Sequence, residues 1–306
     1  MYVVTGATGN IGKVIAETLL ENKKKVRVVG RSAERLQTLV EKGAEAFIGS
    51  VTDGAAILRA FRGAQAVFVM VPPNYAAENF NAYQRAVGEV YASTIRQAGI
   101  PYVVNLSSVG AHLSQGAGPI SGLHEVEELL NRVQSANIVH LRPSFFMENL
   151  FFGLDLIRKQ NINGSALRGD LSIPMTATRD IADVAAQLLL GLEFSGHSTR
   201  ELLGQRELSM QEATAIIGKA IGKAGLAYVQ FSYEQAEQAM GSMGFSPDAA
   251  RSLSEMDRAM NEERVRPLEK RTAANTTPTS FEQFAKSFAS VYRSQEGAKT
   301  RGVSQA

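Results

Sequence analysis

The chain has 306 residues, 44% hydrophobic and 20% charged, a balance that suits one large or two smaller folded domains and excludes wholesale disorder. It contains no cysteine, which excludes a disulfide scaffold, a thiolate zinc site and a cysteine nucleophile together. Residues 1–150 carry 14 basic and 12 acidic side chains and residues 151–306 carry 18 of each, so neither half is a basic arm and no nucleic-acid partner is expected.

Residues 1–5 run straight into an apolar segment with no charged stretch before it, and no run of 18 uncharged apolar residues occurs. A cytoplasmic protein with no membrane span is the expectation. Short apolar runs follow at 2–5, 26–30, 44–48, 66–71, 102–106 and 138–141, rich in Val and Ile. Such runs suit strands buried on both faces of a parallel sheet. Helical patterns lie between them; the first places Ile11, Val14, Ile15 and Leu19 on one face. The alternation predicts an α/β fold, a Rossmann-type doubly wound parallel sheet.

The pattern changes after about residue 150. A helix is expected over 181–192, with Asp180 as its candidate cap, followed by polar helices over 210–223 and 232–244. Residues 1–150 therefore read as the nucleotide-binding domain, completed by about 170–195. Residues 151–306 read as a smaller, mostly helical lobe. The Met and Ala faces of 236–260 suit core better than an interface. Helices of an open sheet often pair two subunits, which leaves a homodimer open. The polar, aperiodic segment 294–306 reads as a loose tail.

The strongest motif is TGATGNIG, with glycines at 6, 9 and 12, between a strand and an amphipathic helix. Gly6 allows the tight turn, Gly9 lets a pyrophosphate approach the backbone, and Gly12 lets the helix pack closely. The anion would rest on the free N–H groups at the helix start. A glycine turn with no ligand is the plainer alternative. The second strand ends in VRVVGRS, with Arg31 where a site built for NAD(H) carries Asp or Glu. A guanidinium forks onto a 2′-phosphate and does little for a bare diol, so NADP(H) is preferred over NAD(H). Ser32 and Arg35 follow; Lys13 reads equally well as a surface lysine. Ligands in such folds lie beyond the carboxyl ends of the strands, which nominates Ser50 and Asp53, then Val71, Pro72 and Pro73, then Ser107 and Ser108. Each reads equally well as loop or helix-cap chemistry.

TGATGNIG, GRS, VFVMVPP, NLSSVG, HEVEELL, LRPSFFMENL and RDIADVAAQLL occur in this order. In this the chain resembles the NmrA-like group of atypical short-chain dehydrogenases/reductases over roughly residues 1–290, and within it the bacterial NAD(P)H-dependent quinone and triphenylmethane dye reductases. The resemblance implies an NADP(H) site at Gly6, Thr8, Gly9, Asn10, Ile11, Gly12 and Arg31, with Pro72 and Ser107 nearer the nicotinamide. It implies a small-molecule cleft walled by Phe145, Phe146 and Asn149. Two adjacent Phe side chains point different ways, so at least one belongs to the core.

The chain departs from that group in two ways. Short-chain dehydrogenases use a Tyr-x-x-x-Lys pair to exchange a proton. None of the eight tyrosines has Lys four residues on, and the region where the pair would fall carries Ile120 and His124. Many NmrA-like proteins keep a lysine where His124 stands. His124 reads either as an acid or donor to substrate or ribose, or as a histidine at a helix start with no chemical task. His112, His140 and His197 form no ligand spacing and no H-E-x-x-H occurs, so no metal is expected. No G-x-S-x-G elbow or Walker loop supports a hydrolase or kinase. Two readings remain. One is an NADPH-dependent reductase passing a hydride to a planar, electron-poor acceptor such as a quinone, dye, imine or enone. The other is a non-catalytic NADP(H)-sensing regulator of NmrA type.

Overall fold

The structure is a computed structural model and describes residues 1–303, with side chains described as far as Ser294. The chain first alternates strand and helix: β1 (Tyr2–Val4), α1 (Asn10–Glu21), β2 (Val26–Gly30), α2 (Ala33–Glu41), β3 (Glu45–Ile48), α3 (Gly54–Phe61), β4 (Ala66–Met70), α4 (Phe80–Ala98), β5 (Tyr102–Leu106), α5 (Pro119–Asn131) and β6 (Asn137–Pro143). The two-residue strand β7 (Phe145–Phe146), a 3-10 turn (Met147–Gly153), α6 (Leu154–Gln160), β8 (Ile162–Ser165), β9 (Ser172–Thr176) and α7 (Thr178–Gly191) come next. Then follow β10 (His197–Leu202), β11 (Glu207–Ser209), α8 (Met210–Ala220), β12 (Ala227–Gln230), α9 (Tyr233–Ser242), α10 (Pro247–Asn261) and α11 (Phe281–Val303). The loose tail expected from Ser294 onward falls mostly on residues whose side chains, and after Val303 whose placement, lie outside the described residues.

Seven strands form one parallel sheet in the order β10-β6-β5-β4-β1-β2-β3. The six expected strands all belong to it. Successive side chains along a strand point to opposite faces, and the sheet uses both. Val4, Val28, Phe68 and Val104 pack with α1, α2 and α7, while Val3, Val29, Val67 and Val103 pack with α3, α4 and α5. Each such fully buried side chain contributes about 1.5–3 kcal/mol. This double-sided burial explains why the inner strands read as continuous apolar runs; β3, expected to be buried likewise, is an edge strand with Glu45, Ala46 and Ile48 exposed. The strand order reverses between β1 and β4, so the connections leaving β1 and β4 diverge and open a crevice at the carboxyl edge.

The chain returns to the sheet through α7, which packs on α1, and β10, which adds the outermost strand beside β6. α7 starts earlier than expected, and Asp180 is not its cap. The cap residue is Ala177, and the Glu148 carboxylate accepts from the Thr178 N–H at 3.0 Å. Asp180 is buried and instead accepts from the Thr279 N–H and Oγ1 at 2.9 and 2.6 Å, pinning the strap that leads into α11. A third apolar cluster, built on Met147, Ile157, Met175, Ile217, Phe281 and Phe288, holds the C-terminal region together. The core reading of 236–260 holds for α10, which buries Ala249, Ala250 and Met260, and fails for α9, none of whose residues is buried. Among the described residues, no helix is long and apolar enough to cross a membrane.

Candidate active site

The β1–α1 turn has the geometry its glycines suggested. Gly6 takes a left-handed φ of +64°, and a Cβ there would also stand 2.6 Å from Met70 Sδ. Gly12 lies against the turn: a Cβ on it would stand 2.7 Å from the Gly6 carbonyl carbon. Gly9 is exposed, caps α1 with its backbone alone, and has nothing nearer its missing Cβ than the Gly6 oxygen at 3.4 Å. No side chain caps α1 and its first turn holds no acidic residue. The helix start therefore offers bare N–H groups and a positive dipole end. Thr8 and Asn10 stand at the same opening, half-buried and exposed; Ile11 is buried in the core, so only its backbone can contribute.

Because β1 pairs with β2, the end of β2 brings Arg31 beside this turn. Arg31 is exposed. It lies near enough to the Tyr83 hydroxyl to pull its pKa down, against burial, which pushes it up more strongly. Tyr83 donates to the Pro72 carbonyl at 2.9 Å, so α4 ties the end of β4 to the Arg31 side of the crevice. Val71 and Pro72 are half-buried and Pro73 is exposed. Ser32 is a helix cap, its Oγ accepting from the Arg35 N–H at 3.3 Å, which leaves the exposed Arg35 side chain on the first turn of α2. Asp53 caps α3 in the same way, at 3.0 Å from the Ala56 N–H. Ser50 bonds Thr52 Oγ1 at 2.8 Å within its own loop, and Gly49 donates to the Gly30 carbonyl, which keeps Ser50 beside the end of β2.

At the end of β5, Ser107 is buried and its Oγ has no hydrogen-bond partner, while its N–H is fixed to the Leu141 carbonyl at 2.7 Å. A buried, unsatisfied hydroxyl at a strand's carboxyl end fits a group waiting for a ligand. Ser108 Oγ is occupied by the Val109 carbonyl. His124 is half-buried on α5, and its Nδ1 lies 2.9 Å from the Ala111 carbonyl. A carbonyl only accepts, so Nδ1 carries the proton and a neutral His124 presents a bare Nε2. His112 is nearby; burial and the Arg142 charge lower its pKa. His140 is a satisfied core histidine, bonded to Asn105 and Asn131 at 3.0 and 3.1 Å, and burial lowers its pKa to about 4. His197 bonds the Ala136 carbonyl at the sheet edge.

The two phenylalanines pack on different clusters, as expected, but both are half-buried, so neither is the fully buried core residue expected. Phe146 packs against the sheet cluster and Phe145 against the C-terminal cluster. Asn149 is half-buried in the turn that follows. Burial raises the hydroxyl pKa of Tyr75, Tyr83 and Tyr91, and that of Tyr228 to about 12. Two surface concavities of about 660 and 610 Å³ lie elsewhere, one beside Asn22 and Gly191 and one between α3 and α4. Tyr83 was not visible as a site residue in the sequence, since it lies mid-helix with no motif around it.

The chain is similar to known proteins in sequence and in fold. The sequence matches the NmrA-like family over residues 2–285. It is 27% identical over 262 residues to an NAD(P)H azoreductase of Xenophilus azovorans, covering 84% of this chain and 86% of that protein. The fold is similar to that of the NADPH-dependent quinone oxidoreductase QOR2 of Escherichia coli, solved with NADPH (TM-score 0.78, 20% identity, 94% of this chain and 99% of that one). It is also similar to the Citrobacter sp. triphenylmethane reductase, solved with NADP(H) (TM-score 0.77, 18% identity, 94% of this chain and 100% of that one). The chain belongs to the NmrA-like family.

Proposed function

We propose that this NmrA-like protein is a cytoplasmic NADPH-dependent reductase that passes a hydride directly to a planar, electron-poor small molecule, with no Tyr–Lys relay. One observation carries the reading: a bare helix start on the glycine turn, an exposed guanidinium and an unsatisfied buried hydroxyl line the carboxyl ends of β1, β2 and β5. The azoreductase activity of one relative and the acceptors in the names of the quinone and triphenylmethane reductases support the acceptor class.

When bound, NADPH supplies the hydride; the protein binds, orients and excludes water. The free N–H groups of Asn10, Ile11 and Gly12 at the start of α1 would hold the pyrophosphate. Arg31 holds the 2′-phosphate by charge-assisted hydrogen bonds, which accounts for NADP(H) over NAD(H). Ser32, Arg35 and Ser50 border the adenosine; Val71, Pro72, Pro73 and Ser107 border the nicotinamide. Phe145 and Phe146, with Ser108 and Asn149, border the acceptor. His124, with Nε2 bare, accepts from a ribose or substrate hydroxyl and can donate only as the imidazolium. A dye cation becomes neutral on gaining hydride, and a quinone needs only a proton besides, so neither requires a tyrosinate. The sensor reading, which the resemblance to NmrA-type regulators allows, is motivated by the missing Tyr–Lys pair, and such acceptors make that pair unnecessary.

The test is NADPH oxidation against a panel of quinones and cationic dyes. Acceptor-dependent loss of nicotinamide absorbance is expected; no acceptor-dependent oxidation across the panel refutes the reductase.

A further inference from the structure

α10 is fastened across the carboxyl edge of the sheet at three points. Near its start, Asp248 Oδ2 accepts from the Phe80 N–H at 2.8 Å, which ties it to the β4–α4 connection. Midway, Gly118 of the β5–α5 connection is so close to Ser252 that a Cβ there would stand 2.9 Å from the Ser252 carbonyl carbon. At its end, Asn261 Oδ1 accepts from the Arg168 N–H at 2.8 Å and Nδ2 donates to the Ala166 carbonyl at 2.9 Å, beyond β8. A helix of 15 residues spans about 22 Å. α10 therefore roofs the connections that carry Pro72 and Ser107. Its inward face buries Ala249, Ala250, Ser254, Met260 and Asn261, and Asp257 falls among them at helical spacing.

Asp257 is half-buried and engages no hydrogen bond or ion pair among the described residues. The Tyr228 hydroxyl faces it from β12, but that hydroxyl gives its proton to the Leu167 carbonyl at 2.8 Å and shares a second bond with Ser165 Oγ at 2.7 Å. Phe145, Tyr228 and Met256, the last adjacent to Asp257 in α10, are partly buried apolar side chains packed on the third apolar cluster. A half-buried carboxyl with no partner on the inward face of α10 is costly unless something uses it. Burial holds it protonated up to about pH 7.

We infer that Asp257 is the acid that donates a proton to the oxygen of a neutral, quinone-type acceptor. This rests on the reductase reading. The acceptor gains a hydride from the reduced nicotinamide. The Asp257 O–H bond breaks as an O–H bond forms on the acceptor oxygen, giving the hydroquinone, and the carboxylate regains its proton from water. Ionisable groups on the elements around α10 are engaged elsewhere. Arg258 lies over the Tyr233 ring of α9 at 4.4 Å, and it also helps draw down the α9 carboxylate Glu234, which its own backbone N–H and then Ser232 chiefly hold low. Glu125 of α5 pairs with Arg85 of α4 at 3.6 Å, and His124 with the Ala111 carbonyl. Arg168 pairs with Asp170 at 2.9 Å, and Arg264 with Glu262 at 2.9 Å. The titration of Asp257 is thus governed by enclosure.

The experiment compares the full chain with Asp257→Asn, using NADPH with a neutral benzoquinone and with a cationic triphenylmethane dye, which needs no proton. For the quinone, kcat should fall about a hundredfold, with KM little changed and the fall in rate with rising pH lost. Dye reduction should be unchanged, which also shows that the variant folds. Equal loss with both acceptors, or unchanged quinone turnover, overturns the inference. Infrared spectra of the protein carrying carboxyl-labelled aspartate give a readout independent of turnover. A protonated carboxyl band should titrate near pH 7, vanish in Asp257→Asn and shift when quinone is added. If the wild type reduces neither acceptor, the reductase reading fails and this band decides alone: a shift with quinone supports Asp257 as its partner, and none overturns it.

Discussion

Gly12 lies directly against Gly6, so that any side chain at position 12 would run into the carbonyl of the turn it follows. The contact joins fold to function, because the same turn holds the helix start where phosphate would sit. Gly12→Ala should lower stability by about 1–3 kcal/mol through overpacking and weaken NADPH by displacing the turn. Thermal melts and calorimetry check both. Unchanged affinity would show that the phosphates rest elsewhere.

Arg31→Ala should weaken NADPH by about one to two powers of ten, the worth of a charge-assisted contact to phosphate. NADH, with no 2′-phosphate, should bind as before. A uniform loss for both cofactors would remove Arg31 from the 2′-phosphate site.

His124 donates from Nδ1 to the Ala111 carbonyl at 2.9 Å. Asparagine can keep that bond but has no atom in place of Nε2. If Nε2 meets ribose or substrate, His124→Asn and His124→Phe should both slow turnover by about tenfold, with NADPH affinity little changed. If only loop anchoring matters, steady-state kinetics will show the asparagine variant near wild type.

The inner strands of the sheet were legible because they are buried on both faces and so read as apolar runs rich in Val, whereas β3 was read as equally buried but lies exposed on the sheet edge. The turn was legible because Gly6 and Gly12 have backbone demands that other residues cannot meet. β10 was not, since its sequence HSTREL is polar in five of six residues and lies on the sheet edge, with Ser198 and Thr199 exposed. Ser32 and Asp53 stood at the right strand ends but serve as helix caps, an ambiguity inherent in Ser and Asp before a helix. Asp180 marked the α7 start, yet its carboxylate was claimed by Thr279, 99 residues away, a partner that no local pattern reveals. Asp257 sits in a helix rich in charge. Only the spacing with Ala249, Ala250 and Met260 places it inward.

His140 gives a pH dependence of stability. Its pKa falls from 6.5 to about 4 on burial. Above pH 6.5 the ring is neutral in both states, and the native state keeps its full advantage. As pH drops from 6.5 toward 4, only the unfolded chain takes the proton, so stability is lost across that window, by about 3 kcal/mol. Denaturant titrations at several pH values check this. His140→Gln should lose much of the slope, and an unaltered slope would assign it to other groups.

The central claim is that the β1–α1 turn and Arg31 hold a pyridine dinucleotide. Calorimetric titration of the purified chain with NADPH and NADH tests it most directly. The account predicts saturable binding of NADPH, tighter than that of NADH, and greatly weakened by Gly12→Ala. Absence of binding by either nucleotide would contradict it.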